Sequence, residues 1–175
     1  MEITYDEKII QSDIDYYNSL PYVFNGFISV PTLSDGDVYL VCLKKQPGDP
    51  VKNWVPGYEF AICVQGEKVG SIGLRIGYGG GEYNSNLYYG GQIGYGVDEA
   101  YRGNNYAARA CKLLVPVAKA HNMTKLLITN DVNNWASMRV CEKLGAKLVR
   151  VVPLPEWSDM YKEGQRLSNI YEMSL

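Results

Sequence analysis

The stretch Tyr101–Leu114, YRGNNYAARACKLL, gathers residue types suited to holding an anion. The first turn of a helix carries unpaired backbone N–H groups and the positive end of the helix dipole. Together these favour a phosphate or pyrophosphate. Gly103 removes a side chain that would block the approach, Ala107 and Ala108 keep the first turn slim, and Arg102 adds a fixed positive charge. Asn104, Asn105 and Tyr106 lie between them, and Asn105 stands where a second glycine would be expected. Asparagine is the non-glycine residue that best tolerates positive φ, and it keeps the N–H that would meet a phosphate. Taken alone, the stretch also fits an ordinary helix start.

A second polar pair, Asn134 and Ser137, stands three residues apart, the spacing of one helix face. It can offer an amide and a hydroxyl to a polar chain, or act as a cap and a first-turn residue.

The elements that must position these groups are legible as periodic runs. DVYLVCLKK (37–45) alternates as a strand, and YEFAICVQ and KVGSIGLRI read as a hairpin turning at Gly66–Glu67. QIGYGV (92–97) puts Ile93, Tyr95 and Val97 on one strand face, while Gly94 and Gly96 leave the other nearly bare. Glycine weakens a strand, so close approach of a ligand or another backbone is its usual reason. A helix is expected from about Asn105 to His121, burying Ala107, Ala108, Cys111, Leu114, Val115 and Ala118. Pro116 predicts a bend near 112–116, and His121 is expected to cap the helix end.

KLLITND (125–131) follows as a strand. NNWASMRVCEKLGA is a second helix, capped by Asn133 or Asn134, burying Ala136, Val140 and Leu144, and ended by Gly145. Residues 147–155 and 166–175 read as strands, SDIDYYNSL as a short helix capped by Ser12, and 156–166 as a loop or short helix. GYGGGEYNSNLYYGG (77–91) reads as a connection between strands, or as a mobile flap beside a substrate. No repeat or linker divides the chain, so a single domain over 1–175 is expected.

A formal charge of -2 supplies no strong basic field for nucleic acid or anionic lipid. Cys42, Cys63, Cys111 and Cys141 lack metal-ligand or redox spacing and read as free thiols of a reducing cytosol. A single histidine argues against a zinc site and a Ser-His-Asp triad. The N-terminus lacks a signal-peptide pattern and no run reaches a membrane span, so a cytoplasmic protein is expected.

Over residues 57–148, most closely over 92–148, the sequence resembles the GNAT superfamily of acetyl-CoA-dependent N-acetyltransferases. The family's main motif is Arg or Gln, two residues, Gly, one residue, then Gly or Ala; Arg102, Asn105 and Ala107 take those places. Its second signature, Asn-x-x-Ser in a helix ending Glu-Lys-x-Gly, reads here as Asn134, Ser137, Glu142, Lys143 and Gly145. The resemblance implies an α/β (α+β) fold: a mixed, twisted central β-sheet with splayed middle strands and flanking helices. It implies acetyl-CoA as acyl donor, entering that split. The pyrophosphate would meet Arg102, Gly103, Asn104, Asn105, Tyr106, Ala107 and Ala108. The pantetheine arm would run beside Tyr95, Gly96 and Val97, with Asn134 bonding the arm and Ser137 near the pyrophosphate.

The reaction implied is direct attack of a primary amine on the thioester in a ternary complex, with a backbone N–H near Tyr95–Val97 stabilising the oxyanion. Many members place a tyrosine four residues after the serine as the acid; Cys141 stands there instead, with Tyr95, Tyr161 and Tyr171 as substitutes. Many carry a glutamate on the strand before the cradle; no carboxylate occurs from Leu87 to Val97, which leaves Glu82 or Asp98 acting through water. The acceptor class spans small amines, amino sugars, antibiotics and peptide N-termini, and a homodimer stays open. Two other readings are a non-catalytic acyl-CoA-binding or sensing module and a Rossmann-like nucleotide binder. The latter requires a glycine-rich turn straight after a strand, which the sequence lacks.

Overall fold

The computed structural model describes residues 1–52, 54–78 and 85–175, with the backbone alone at Ser85 and Asn86. In chain order the elements are α1 (Glu7–Asn18), β1 (Leu33–Asp35), β2 (Val38–Gln46), β3 (Gly57–Val64), β4 (Glu67–Arg75), α2 (Ser85–Gly90), β5 (Ile93–Val97), α3 (Tyr106–Leu113), α4 (Val115–Ala120), β6 (Lys125–Asp131), α5 (Trp135–Lys143), β7 (Lys147–Pro153), α6 (Asp159–Lys162) and β8 (Leu167–Ser174). A single 3-10 turn at Glu99–Tyr101 precedes α3. The chain forms two compact units, one from Pro21–Gly77, Gln92–Thr124 and Leu175, the other from Met1–Leu20, Tyr78–Gly91 and Lys125–Ser174.

The first unit is built on an antiparallel sheet of order β1-β2-β3-β4-β5. Val64 pairs with Glu67, so the hairpin turns at Gln65–Gly66, one residue earlier than expected. Both turn residues have positive φ, 51 and 82, the geometry that matches the right-handed twist of paired strands. Val38, Leu40, Tyr58, Phe60, Ile62, Ile72 and Leu74 fill the core. Arg109 of α3 binds the β1–β2 turn: Nε donates to the Asp35 carboxylate at 3.1 Å and Nη2 to Asp37 at 2.7 Å.

The single helix expected over Asn105–His121 is two helices broken at Leu114. Pro116 falls in the first turn of α4, where its missing N–H has no intrahelical acceptor to leave empty. The expected bend is therefore a break. His121 occupies the end of α4, but its side chain does not cap the helix. The ring is 2% exposed, with Nδ1 3.0 Å from the Val23 carbonyl oxygen and Nε2 2.7 Å from the Tyr58 hydroxyl. The Tyr58 oxygen accepts the Ile28 N–H at 3.0 Å, so the ring secures the irregular 23–28 segment.

The second unit holds an antiparallel sheet of order β6-β8-β7. Ile10, Ile14 and Tyr17 of α1 and Tyr88 and Tyr89 of α2 pack with Leu127, Val152, Leu154 and Ile170. The α1 helix begins before Ser12: Asp6 is its cap, its carboxylate accepting the Lys8 N–H at 2.9 Å. Starting there puts Ile10, Ile14 and Tyr17 on one buried stripe, which a start at Ser12 would cut. Residues 85–90, expected as loop, form α2, with Leu87, Tyr88 and Tyr89 buried. Those tyrosines are core, while residues 79–84 of the stretch expected as a connection or flap lie outside the described residues.

Candidate functional site

In the first unit β5 is an edge strand of its sheet. The Asp98 N–H donates to Val69 and the Gln92 carbonyl accepts from Arg75, so even-numbered residues of this strand turn their backbone groups toward β4. Strand alternation then turns the N–H groups of Tyr95 and Val97 to the opposite side. A Cβ at Gly94 or Gly96 would meet nothing within 4 Å. Among the described residues no atom requires glycine at either position, so toward them the bare face expected from the sequence is open space.

The chain leaves β5 through the 3-10 turn and enters α3 by way of Arg102–Asn105. Arg102 Nε donates to the Val97 carbonyl at 3.0 Å, tying this turn to the end of β5. Gly103 has φ 84, and a Cβ there would also meet nothing. Asn105 is the residue before α3, in the left-handed conformation at φ 64, ψ 17, with no side-chain cap bond. The Asn104 amide turns back to the Tyr101 and Arg102 carbonyls at 3.0 and 3.4 Å. The Asn105 side chain thus makes no cap bond to the first turn of α3. Ala107 is half-buried beside it, and Ala108, Ala110 and Cys111 carry the buried stripe.

In the second unit Asn134 caps α5, its Oδ1 accepting the Ser137 N–H at 3.1 Å. This cap uses the Oδ1 of an exposed residue, and the amide nitrogen of Asn134 is a donor group only. The buried residue of α5 is Cys141, while Ala136 is exposed and Val140 and Leu144 are half-buried. The expected stripe is thus rotated toward the Ser137–Cys141 side. The reason is polar: Asn130 of β6 lies under that side, its amide donating to Ser137 Oγ at 3.3 Å and to Cys141 Sγ at 3.6 Å.

Among the candidate acids and bases, Cys141 is 0% exposed, and burial pushes its thiol up to about 12. Tyr171 sits on β8 between Ile128 and Leu148, 5% exposed, and burial raises its hydroxyl. Tyr161 lies in α6 under the Arg166 guanidinium, 4.1 Å from its ring centre. Asp98 precedes the 3-10 turn and makes no side-chain cap bond there. Tyr95 is half-exposed on β5, and Glu82 lies outside the described residues. Sequence reasoning missed Asn130 and Asn169, whose side chains meet at 2.9 Å; an asparagine near one end of each of two strands was the available signal. Among the described residues no group of His, Cys, Asp and Glu could hold a metal ion, and no helix is long and apolar enough to cross a membrane.

A family model described as an acetyltransferase (GNAT) domain matches residues 37–147. No curated protein matches the chain. Solved structures share its fold. An acetyltransferase from Salmonella typhimurium that modifies the N-terminal serine of a 50S ribosomal subunit protein is 21% identical at TM-score 0.52, covering 68% of this chain and 64% of that one. A ribosomal-protein α-N-acetyltransferase solved with coenzyme A is 21% identical at TM-score 0.53, covering 68% and 62%. A microcin C7 self-immunity acetyltransferase solved with acetyl-CoA and AMP is 17% identical at TM-score 0.51, covering 68% and 61%. The chain thus spans 61% to 64% of the length of these three, and the likeness at such identities is one of fold.

Proposed function

Because this chain belongs to the GNAT acetyltransferase family, we propose that it transfers an acetyl group from acetyl-CoA to a primary amine by direct attack in a ternary complex. The observation that carries the reading is the family match over 37–147, which spans the glycine-bearing β5, the turn before α3 and the first turn of α5. The left-handed turn at Asn105 into the first turn of α3 supports a pyrophosphate site, with the N–H groups of Gly103–Ala108 as donors and Arg102 as the neighbouring charge. The outward N–H groups of Tyr95 and Val97 suit a pantetheine arm lying along β5 as an added strand. Asn134 and Ser137 offer an amide and a hydroxyl to the same class of ligand.

In the reaction, the amine nitrogen forms a bond to the thioester carbonyl carbon. The carbonyl oxygen takes up negative charge, for which the Tyr95 or Val97 N–H is the donor. Collapse re-forms the carbonyl, breaks the C–S bond and releases the CoA thiolate, which takes up a proton. The attacking amine loses its proton to a water chain leading to solvent or to a carboxylate, Glu82 or Asp98. The acid assigned to the position of Cys141 in relatives is replaced here by a buried thiol, so solvent is the proton source for the thiolate. The four free cysteines fit a reducing, cytoplasmic setting.

Ala107→Glu tests the cradle. Its carboxylate would crowd the first turn of α3 and repel a pyrophosphate. Calorimetric titration with acetyl-CoA is expected to show at least a tenfold loss of affinity, corresponding to about 1.4 kcal/mol or more. Unchanged affinity would remove the anion site from the start of α3.

A further inference from the structure

In the first unit, β2 has a partner along only part of its outer edge. β1 pairs with it at Leu33–Leu40, Ser34–Tyr39 and Asp35–Val38 and no further. At the same register Val30 would come to face Leu43, and Ser29 would face Lys44. Among the described residues, no strand pairs with Cys42–Gln46 on the side away from β3. Instead Ser29, Val30, Cys42, Leu43, Lys44 and Lys45 line a cavity of about 400 Å³, a volume in the range of ligand clefts.

Each wall has a reason not to close on the other. Pro31 has no N–H to give to a ladder. On β2, Cys42 pairs with Phe60 and Lys44 with Glu59, so Leu43 is an extra residue, and such a bulge bends its strand. The far wall is also tethered at both ends. The Ile28 N–H donates to the Tyr58 hydroxyl at 3.0 Å, and Leu33 is held in the ladder with β2.

An open strand edge presents N–H and C=O groups that can pair with another chain. Lysines, prolines and bulges are the usual protection against a like edge, and all three stand here. Two copies joined along β2 would bring their lysines into one interface, where like charges repel. An acidic strand meets the opposite situation. Lys44 and Lys45 are consecutive and exposed, and neighbouring strand residues point to opposite faces. A strand laid along this edge therefore finds one lysine on each face. Glu59 stands opposite Lys44 in register, yet among the described residues neither lysine makes an ion pair. Leu43, 58% exposed, adds an apolar contact. Charge thus selects the occupant, and main-chain pairing supplies the attachment.

We propose that the open edge of β2 at Cys42–Gln46 is a docking site for an extended acidic peptide. The peptide joins the sheet as a further strand, setting a carboxylate against each of Lys44 and Lys45 and an apolar residue against Leu43.

Fluorescence anisotropy with a labelled, end-capped peptide of Val-Glu-Glu-Val centre tests it. Saturable binding at submillimolar peptide is expected, with amide exchange slowed at residues 42–46. The Lys44→Glu/Lys45→Glu variant should bind this peptide at least tenfold more weakly and take up one of Val-Lys-Lys-Val centre, which the wild type does not bind. Lys44→Gln/Lys45→Gln sets no like charge opposite Glu59 and should bind neither; it carries the test where melts show the charge-reversed variant unfolded. N-methylation of alternate peptide amides keeps the carboxylates and removes main-chain pairing, so it should abolish binding. No saturable binding, full affinity in both double variants, or full affinity of the N-methylated peptide would overturn the inference. So would protection of 42–46 that rises with protein concentration in the absence of peptide, which would assign the edge to a second copy of the chain.

Discussion

At the scale of single residues, Asn105 decides whether the turn before α3 can present its N–H groups. Its φ of 64 lies in the left-handed region, which glycine enters freely, asparagine at small cost and a β-branched residue only under strain. Asn105→Gly is expected to keep acetyl-CoA affinity within about twofold. Asn105→Val should cost about 1–2 kcal/mol in backbone conformation and weaken binding roughly tenfold as the turn shifts to relieve it. Titration of both variants checks this, and a valine variant with wild-type affinity would contradict the assigned role. The left-handed backbone was readable from the residue type in its motif. The burial of Cys141 was not, because a thiol suits a core position and a reactive one equally. What decides it is Asn130, eleven residues away in sequence and on another element.

At the scale of elements, β8 is joined to α1 and β6 through Glu172. The Tyr17 hydroxyl donates to its carboxylate at 2.7 Å and Lys125 Nζ donates at 2.9 Å. Burial acts to raise the Glu172 carboxyl, but these two donors and the charges of Lys125 and Lys147 outweigh it and hold it below its ordinary 4.5. A carboxyl lowered in the folded state contributes stability that is present above its unfolded pKa and lost as pH falls through the folded one. Melting temperature should therefore drop more steeply below about pH 4.5 for the wild type than for Glu172→Gln, while the wild type melts higher at neutral pH. Parallel curves would show that Glu172 does not carry this dependence. These elements were partly legible. Strands β6 and β5 stand within a residue of where alternation puts them, and Gly145, at φ 70, follows the end of α5 as predicted. The α1 start was misplaced because Ser12 and Asp6 are both good caps, and tertiary burial of Ile10 chooses between them.

At the scale of the molecule, the two compact units are interleaved along the chain, with 78–91 joining 1–20 and 125–174. Periodicity reports which face of an element is buried, not which distant element covers it. Glycine and tyrosine content made 77–91 read as a loop, whereas Leu87, Tyr88 and Tyr89 belong to the core of the second unit. The fold class and the acetyltransferase family were legible because β5, the α3 start and α5 carry their signatures in short, contiguous runs.

The account turns on acetyl transfer. Its most direct measurement is release of free CoA thiol from acetyl-CoA across a panel of small amines, amino sugars and peptide N-termini, with mass spectrometry of each acceptor. The account predicts thiol release that requires both protein and amine, with one acetylated amine for each thiol freed, and its loss in Ala107→Glu. Tight acetyl-CoA binding with no release above background on any amine would contradict it and leave the chain as an acyl-CoA-binding module.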